Sequence, residues 1–154
     1  MKNKNFRNLL LIFFLVTGLW GCRTIALFDQ YAYTQTTSLK VDALSLIDKS
    51  ADSYTSHTKD CEVLISNLLK MREYEKHRAN DLITFKMWDK MIDSTGHKGI
   101  VGSYISNWKT DDKEKPVFIQ EAKKIVGQGF DFIAELESKK IKPDNVGVQS
   151  YMNK

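Results

Sequence analysis

The chain has 154 residues, two of them cysteine, and its formal net charge at pH 7 is +4. Three bases and no acid lie in the first 21 residues, so the formal charge of the remainder falls by three to +1. That remainder has no basic stripe and no alternation of aromatic and basic residues, which argues against nucleic-acid binding. Its 133 residues suit one domain, large enough to bury a core and too small for two.

The N-terminus combines positive charge with a continuous apolar run. Lys2, Lys4 and Arg7 precede the apolar residues 9–16, and the segment ends at Leu19-Trp20-Gly21-Cys22. A basic start, an apolar core of about a dozen residues and a small residue before a cleavage point are typical of a secretory signal peptide. The run is too short for a mature membrane span, which needs about 20 apolar residues.

The end of this segment resembles the lipobox of bacterial lipoproteins, in which a signal peptidase cuts before a cysteine that becomes diacylated. Leu19, Gly21 and Cys22 match the pattern, whereas Trp20 stands where these proteins usually have a small residue. The resemblance implies that residues 1–21 are a signal peptide that is removed. It also implies that the mature protein is held to its membrane through lipid on Cys22.

The residue after the cysteine is Arg23, and the resemblance gives this position a meaning. Arg23 is not the aspartate that retains lipoproteins on the inner membrane, which implies the outer membrane, facing the periplasm, in a cell with two membranes. In a cell with one membrane it implies the outer face of the plasma membrane. The alternative is an ordinary N-terminal anchor helix with an incidental cysteine, but Arg23 would then have to enter the bilayer. With Cys22 acylated, only Cys61 remains, so we expect no internal disulfide and a thiol that is buried or paired with another chain.

Residues 22–28 are a short tether, and a first helix is predicted from Asp29 to about Tyr54. Its apolar positions recur at steps of three and four residues. Alternating residues between Tyr31 and Val41 are also compatible with a strand, since several threonines there are poor helix formers. A strand would have only residues 117–119 as a partner, and a lone pair of strands is marginal.

Two more helices follow in the pattern. The second begins with a cap at Ser56 or Thr58 and runs to about Arg78. Its predicted buried face consists of Cys61, Leu64, Ile65, Leu68 and Met71. The third begins at Asn80 or Asp81 and ends before residues 94–96. Its predicted apolar face consists of Leu82, Ile83, Phe85, Trp88, Met91 and Ile92.

A short fourth helix is predicted from Gly99 to about Trp108, followed by a charged loop over residues 109–115. The fifth helix begins at Pro116, whose missing amide costs nothing at a first helical position, and ends before Pro143. Its predicted apolar stripe consists of Phe118, Ala122, Ile125, Val126, Gly129, Ile133 and Leu136.

Two glycines interrupt this last helix. Gly127 and Gly129 each weaken it by about 1 kcal/mol relative to alanine, so we expect a close helix crossing there. Residues 143–154 are expected to form a flexible polar tail. The sequence therefore predicts an all-α protein, with an antiparallel bundle of four to five helices over residues 29–142 after the signal peptide and tether.

Common catalytic motifs are absent from the sequence. It has no Gly-x-Ser-x-Gly, no Walker phosphate loop, no His-Glu-x-x-His and no Cys-x-x-Cys. Glu73 and His77 are four residues apart and occur once, so the paired motif of a di-iron bundle is not present. His57 and Cys61 could share a metal, but tight sites need three or four ligands, which favours a buried thiol behind a helix-start histidine. The sequence predicts no catalytic residue, no metal and no cofactor.

One loop is a candidate binding site. Gly96, His97, Lys98 and Gly99 precede a helix N-terminus, where free amides and the helix dipole favour an anion. A solvated glycine-rich connector is the alternative reading of this loop. Aromatic residues at helical spacing, such as Trp88 and Trp108, are interpreted as core.

Three functional classes remain. The preferred one is a non-catalytic, lipid-tethered interaction module that presents a helical surface to another envelope protein. The second is a bundle that holds a small apolar or anionic ligand between its helices. The third is an enzyme. A tether of six or seven residues spans at most about 25 Å, so a partner is expected to be membrane-bound or membrane-proximal.

Overall fold

The computed structural model describes residues 28–78, 82–93 and 95–153, and the predicted signal peptide and Cys22 lie outside them. The described chain is an all-α bundle, which confirms the predicted fold class. Two 3-10 turns, Lys49–Ala51 and Tyr54–His57, join the first two helices. The six helices are α1 (Gln30–Asp48), α2 (Thr58–Lys76), α3 (Leu82–Met91), α4 (Ile100–Asp111), α5 (Pro116–Glu137) and α6 (Val146–Met152). Within this part of the chain, none of the helices combines the length and the apolar character that a membrane span requires.

The segment that sequence left open between helix and strand is helical. Asp29 caps α1, since its carboxylate accepts the backbone N–H of Ala32 at 2.9 Å. The hydroxyl of Thr37 donates to backbone carbonyls one turn earlier, so the helix itself absorbs this polar group. The helix ends at Asp48, earlier than predicted, and α2 begins without a side-chain cap because His57 occupies the capping position.

The core forms where four helices face one another. α1 packs along α5 and α2, and α3 packs against α2 and α5. Trp88 and Phe130 meet edge to face at the centre, with ring centroids 5.9 Å apart. The largest fully buried side chains are Trp88, Trp108, Phe130, Leu68, Met87, Met91, Ile92 and Ile133.

The observed buried faces differ from the predicted stripes at their margins. Leu82 and Phe118, which the sequence places in the core, are 66% and 57% exposed. Met87 and Ile119 are buried instead, together with Phe130. The apolar stripe of an amphipathic helix is wider than the surface a neighbour covers, so the neighbour decides which of its members are buried.

The predicted close approach exists at one of the two glycines. A Cβ at Gly129 would collide with the Sδ of Met91 and the Oη of Tyr151. Around Gly127 the nearest atoms are Lys40 Cε at 3.8 Å and Leu44 Cδ1 at 3.9 Å, which is ordinary contact. The expectation is therefore wrong for Gly127, and at Gly129 side chains, not a crossing backbone, need the space.

The prediction of a flexible polar tail over residues 143–154 is wrong, because α6 packs against the bundle. The side chain of Asn145 caps this helix by accepting the N–H groups of Gly147 and Val148 at 2.8 and 3.3 Å. Val148 and Tyr151 are buried, and the Tyr151 hydroxyl donates to the carbonyl of Ile125 at 3.0 Å. The bundle thus extends past residue 142 to include α6.

Candidate interaction surface

The end of the bundle at which the described chain begins holds a buried charged cluster, and we call this end the proximal pole. Arg78 donates to Glu75 at 2.8 Å and to Glu137 at 2.7 Å, and both carboxylates are fully buried. The Nε of Arg78 also lies 3.5 Å from the carboxylate of Asp29, which accepts the hydroxyl of Tyr74 at 2.7 Å. The cluster ties the ends of α2 and α5 to the start of α1.

The pKa shifts in this cluster favour the protonation states that its hydrogen bonds require. Burial acts to lower the pKa of Arg78, but the hydrogen bonds that it donates to Glu137 and Glu75 more than reverse this and raise the pKa. Burial acts to raise the pKa of Asp29, and its hydrogen bonds together with the charge of Arg78 lower it overall. The hydrogen bond to Asp29 raises the pKa of Tyr74 to about 12. These three groups therefore keep their paired forms through the neutral pH range.

The opposite end, which we call the distal pole, joins residues 49–57 to the turn between α4 and α5. Asp112 lies in this turn with a φ of 65°, in the left-handed region. Its carboxylate accepts the hydroxyl of Ser53 at 2.6 Å. Its carbonyl accepts the N–H of Tyr54 at 2.9 Å and the indole N–H of Trp108 at 3.1 Å. These bonds offset a backbone strain of about 1–3 kcal/mol and hold the turn in place.

A groove opens between α4 and α5, because these two helices approach closely over only a short length. It has a volume of about 380 Å³ and is open to solvent. Phe118 is 57% exposed in it and Ile125 is 37% exposed, so its floor is largely apolar. One face of each helix lines the groove at three- and four-residue steps, including Ile100, Tyr104 and Asn107 from α4 and Phe118, Ala122 and Ile125 from α5.

Three carboxylates stand around this groove: Asp111, Glu114 and Glu121. None of them forms an ion pair with a cation in the described chain, whereas Asp48 and Asp131 elsewhere are paired with lysines. Burial and the neighbouring charge of Asp111 raise the pKa of Glu114. All the charged residues that line the groove are acidic, and two of them, Asp111 and Glu114, lie at its distal end.

The loop that the sequence predicts as an anion site contains internal hydrogen bonds to Asp93. The carboxylate of Asp93 accepts the N–H of Thr95 at 2.8 Å and the N–H of His97 at 3.3 Å. Burial acts to raise the pKa of Asp93, but these hydrogen bonds and that of the Thr95 hydroxyl lower it overall. The predicted site residues are also divided, with Gly96 and Gly99 buried and His97 and Lys98 exposed. Asp93 accepts N–H groups that precede Gly99, the capping residue of α4, so anion binding by Gly96, His97, Lys98 and Gly99 stays a prediction.

The histidine and thiol that share a helix face also have other neighbours. The ring nitrogens of His57 lie 3.6 Å from Asp52 and 3.6 Å from Asp60, and its ring stacks at 5.8 Å from that of Trp108. Cys61 is buried, which agrees with one of the two states predicted for it, a buried thiol or one paired with another chain. Burial raises the pKa of this thiol to about 11. Across residues 28–78, 82–93 and 95–153, no three His, Cys, Asp or Glu side chains gather as a metal site would require.

Comparison of the chain with family models, curated proteins and solved structures found no match. The groove was missed in the sequence because Phe118 and Ile125 were both assigned to the core. The segment over residues 109–115 supplies Asp111 and Glu114 but also contains three lysines, so its composition does not indicate an acidic end of the groove. Glu121 lies seven residues after Glu114, about two helical turns, so the common location of these acids is visible only in the folded chain.

Proposed function

We propose that the protein is a membrane-anchored envelope lipoprotein whose helical bundle acts as a non-catalytic interaction module. The observation that carries the interaction is the groove between α4 and α5, where an exposed apolar floor lies beside three carboxylates without cationic partners. The basic and apolar N-terminal pattern that ends at Cys22 supports the anchor. In this proposal the anchor is in the outer membrane, facing the periplasm, or on the outer face of a single membrane.

Distances along the chain support a membrane-proximal partner. Asp29, which is held at the proximal pole, lies seven residue steps after Cys22, and these span at most about 25 Å when extended. α1 has 19 residues and carries the chain about 28 Å further to the distal pole. An anchored bundle thus holds the acidic end of the groove within about 55 Å of its membrane. Tethering also raises the local concentration of a weak partner.

The open shape of the groove favours a macromolecular partner over an enclosed small ligand. Its floor runs along two helices and remains accessible from solvent. Its carboxylates repel an anionic ligand, so the negative charge argues against that part of the small-ligand alternative.

The anchor is tested by metabolic labelling with an alkyne-bearing fatty acid. Wild-type protein is expected to carry the label and the Cys22→Ser variant to lack it. The variant Cys61→Ala is the matched control, because it removes the other cysteine, which lies buried in the bundle, and should stay labelled. Equal labelling of wild type and Cys22→Ser would refute the anchor.

The interaction is tested in the same cells by photo-crosslinking from single positions. A crosslinking amino acid at Asn107, exposed within the groove, is expected to give a discrete product with an envelope protein. The matched position is Val41 on α1, which is exposed and does not line the groove. Products of equal yield from both positions, or none from Asn107, would refute an interaction through the groove.

A further inference from the structure

We infer that the groove between α4 and α5 receives an amphipathic helix of a partner protein that carries lysine or arginine beside its apolar face. The apolar face covers Phe118 and Ile125, and the basic side chains meet Asp111, Glu114 and Glu121. This inference deepens the proposed function and rests on it for the partner's place near the membrane. The argument for a helix of this charge comes from the shape of the groove and from its lining carboxylates, which form no ion pair among the described residues.

The groove is long enough to receive a short helix. α4 has 12 residues and is therefore about 18 Å long, which matches three turns of a partner helix. The lining residues repeat at three- and four-residue steps on both helices, so the groove follows both helix axes. A groove between two helices offers the space into which a third packs its side chains.

The apolar floor and the acidic edge of the groove favour contact with different chemical groups of a partner. Exposed surface on Phe118 and Ile125 is favourably removed from water by an apolar face. The three carboxylates form no ion pair among the described residues, so each can pair with a cation of a partner. The same charge repels an anionic lipid surface, which favours a protein helix over a membrane as the occupant.

Charge along the groove also sets an orientation. Asp111 and Glu114 mark its distal end, whereas Ile100 and Ile125 mark the other end. The partner helix therefore carries its basic residues toward the distal pole and its purely apolar part toward the proximal pole. Opposite charges aligned in this way select the direction of docking as well as the partner.

The test uses the full-length protein in nanodiscs of zwitterionic phosphatidylcholine, with empty discs as the blank. Two synthetic helical peptides of about 14 residues, long enough to cover the groove, share one leucine face. One peptide carries lysines beside that face and the other carries glutamates. Fluorescence anisotropy of the labelled peptides is expected to show binding of the lysine peptide, with affinity at least about tenfold above that of the glutamate peptide.

Two matched double variants locate the binding. Glu114→Gln with Glu121→Gln removes two charges at the groove, and we expect it to weaken the lysine peptide by roughly fivefold to tenfold at low salt. The control, Asp42→Asn with Glu62→Gln, removes two exposed carboxylates from α1 and α2 and is expected to leave the affinity unchanged. Phe118→Ser is expected to weaken both peptides, because it removes the apolar floor that both of them cover.

Several results would overturn the inference. These are equal affinity for the two peptides, absence of binding by the lysine peptide, and equal losses in the two double variants. A dimer in sedimentation that the groove double variant dissociates would assign the groove to a second copy of this chain. Acylation of Cys22 is read separately by labelling, so loss of peptide binding leaves the anchor standing, and peptide binding by an unlabelled chain leaves the groove standing.

Discussion

Two glycines in one helix, two residues apart, are expected to respond to alanine in opposite directions. Alanine is favoured over glycine within a helix by about 0.8–1.0 kcal/mol. At Gly127 the added Cβ meets Lys40 Cε at 3.8 Å and Leu44 Cδ1 at 3.9 Å, so nothing has to move. Gly127→Ala is therefore expected to raise the free energy of unfolding by about 1 kcal/mol.

At Gly129 the same propensity gain is opposed by packing. The added Cβ lands on the Sδ of Met91 and the Oη of Tyr151, and both residues are buried. The Tyr151 hydroxyl is held by its hydrogen bond to Ile125 at 3.0 Å, whose loss costs about 1 kcal/mol and cancels the propensity gain. Overpacking then leaves Gly129→Ala destabilised by about 1–3 kcal/mol.

The assay is urea unfolding followed by circular dichroism, with midpoint and slope compared among wild type and the two variants. A change of 1 kcal/mol corresponds to a shift in melting temperature of about 3–5 °C for a domain of this size. Adding Tyr151→Phe to Gly129→Ala removes one of the two colliding atoms and should recover part of the loss. Equal stabilisation by Gly127→Ala and Gly129→Ala would refute the packing of α6 on α5 and would favour a loose tail over residues 143–154.

The remaining predictions concern the proximal pole and the buried thiol. Arg78→Ala is expected to lower the free energy of unfolding by about 3–5 kcal/mol, because the two buried carboxylates it bridges lose its positive charge. Arg78→Lys should restore only part of the lost stability, since lysine lacks the planar guanidinium that pairs with both carboxylates. A loss below about 1 kcal/mol for Arg78→Ala would contradict a stabilising role of this cluster. In a Cys22→Ser background, Cys61 should react slowly with a thiol reagent at neutral pH and rapidly in denaturant. The thiolate is the reactive form, and burial raises the pKa of the Cys61 thiol to about 11. Comparable rates with and without denaturant would contradict the burial of Cys61. Burial of the neutral thiol also makes the free energy of unfolding depend on pH. Because the pKa of Cys61 is raised from 9.0 to about 11 by folding, the contribution of this thiol to stability is complete below pH 9 and is lost as the pH rises toward 11. The variant Cys61→Ala should show a smaller loss of stability over this pH range.

The sequence by itself determined the features that depend on neighbours along the chain. The period of apolar residues identified five of the six helices that the described residues form, and Pro116 marked the start of α5 because proline is compatible with a first helical position. Gly99 marked the start of α4, and the position of Cys61 on the apolar face of α2 indicated its burial. Each of these signals acts within a few helical turns, so no knowledge of the packing was needed.

Tertiary structure decided what depends on residues far apart in the chain. The stripe of α5 contains more apolar residues than its neighbours cover, so the packing left Phe118 exposed in the groove and buried Ile119. α6 is too short to show a period of its own, and it is helical because the bundle offers a place for Val148 and Tyr151. Arg78 and Glu137 are 59 residues apart, and only the meeting of α2 and α5 brings them to 2.7 Å. Burial and ion pairing are properties of surfaces that meet in space, and a local pattern carries no record of which surfaces those will be.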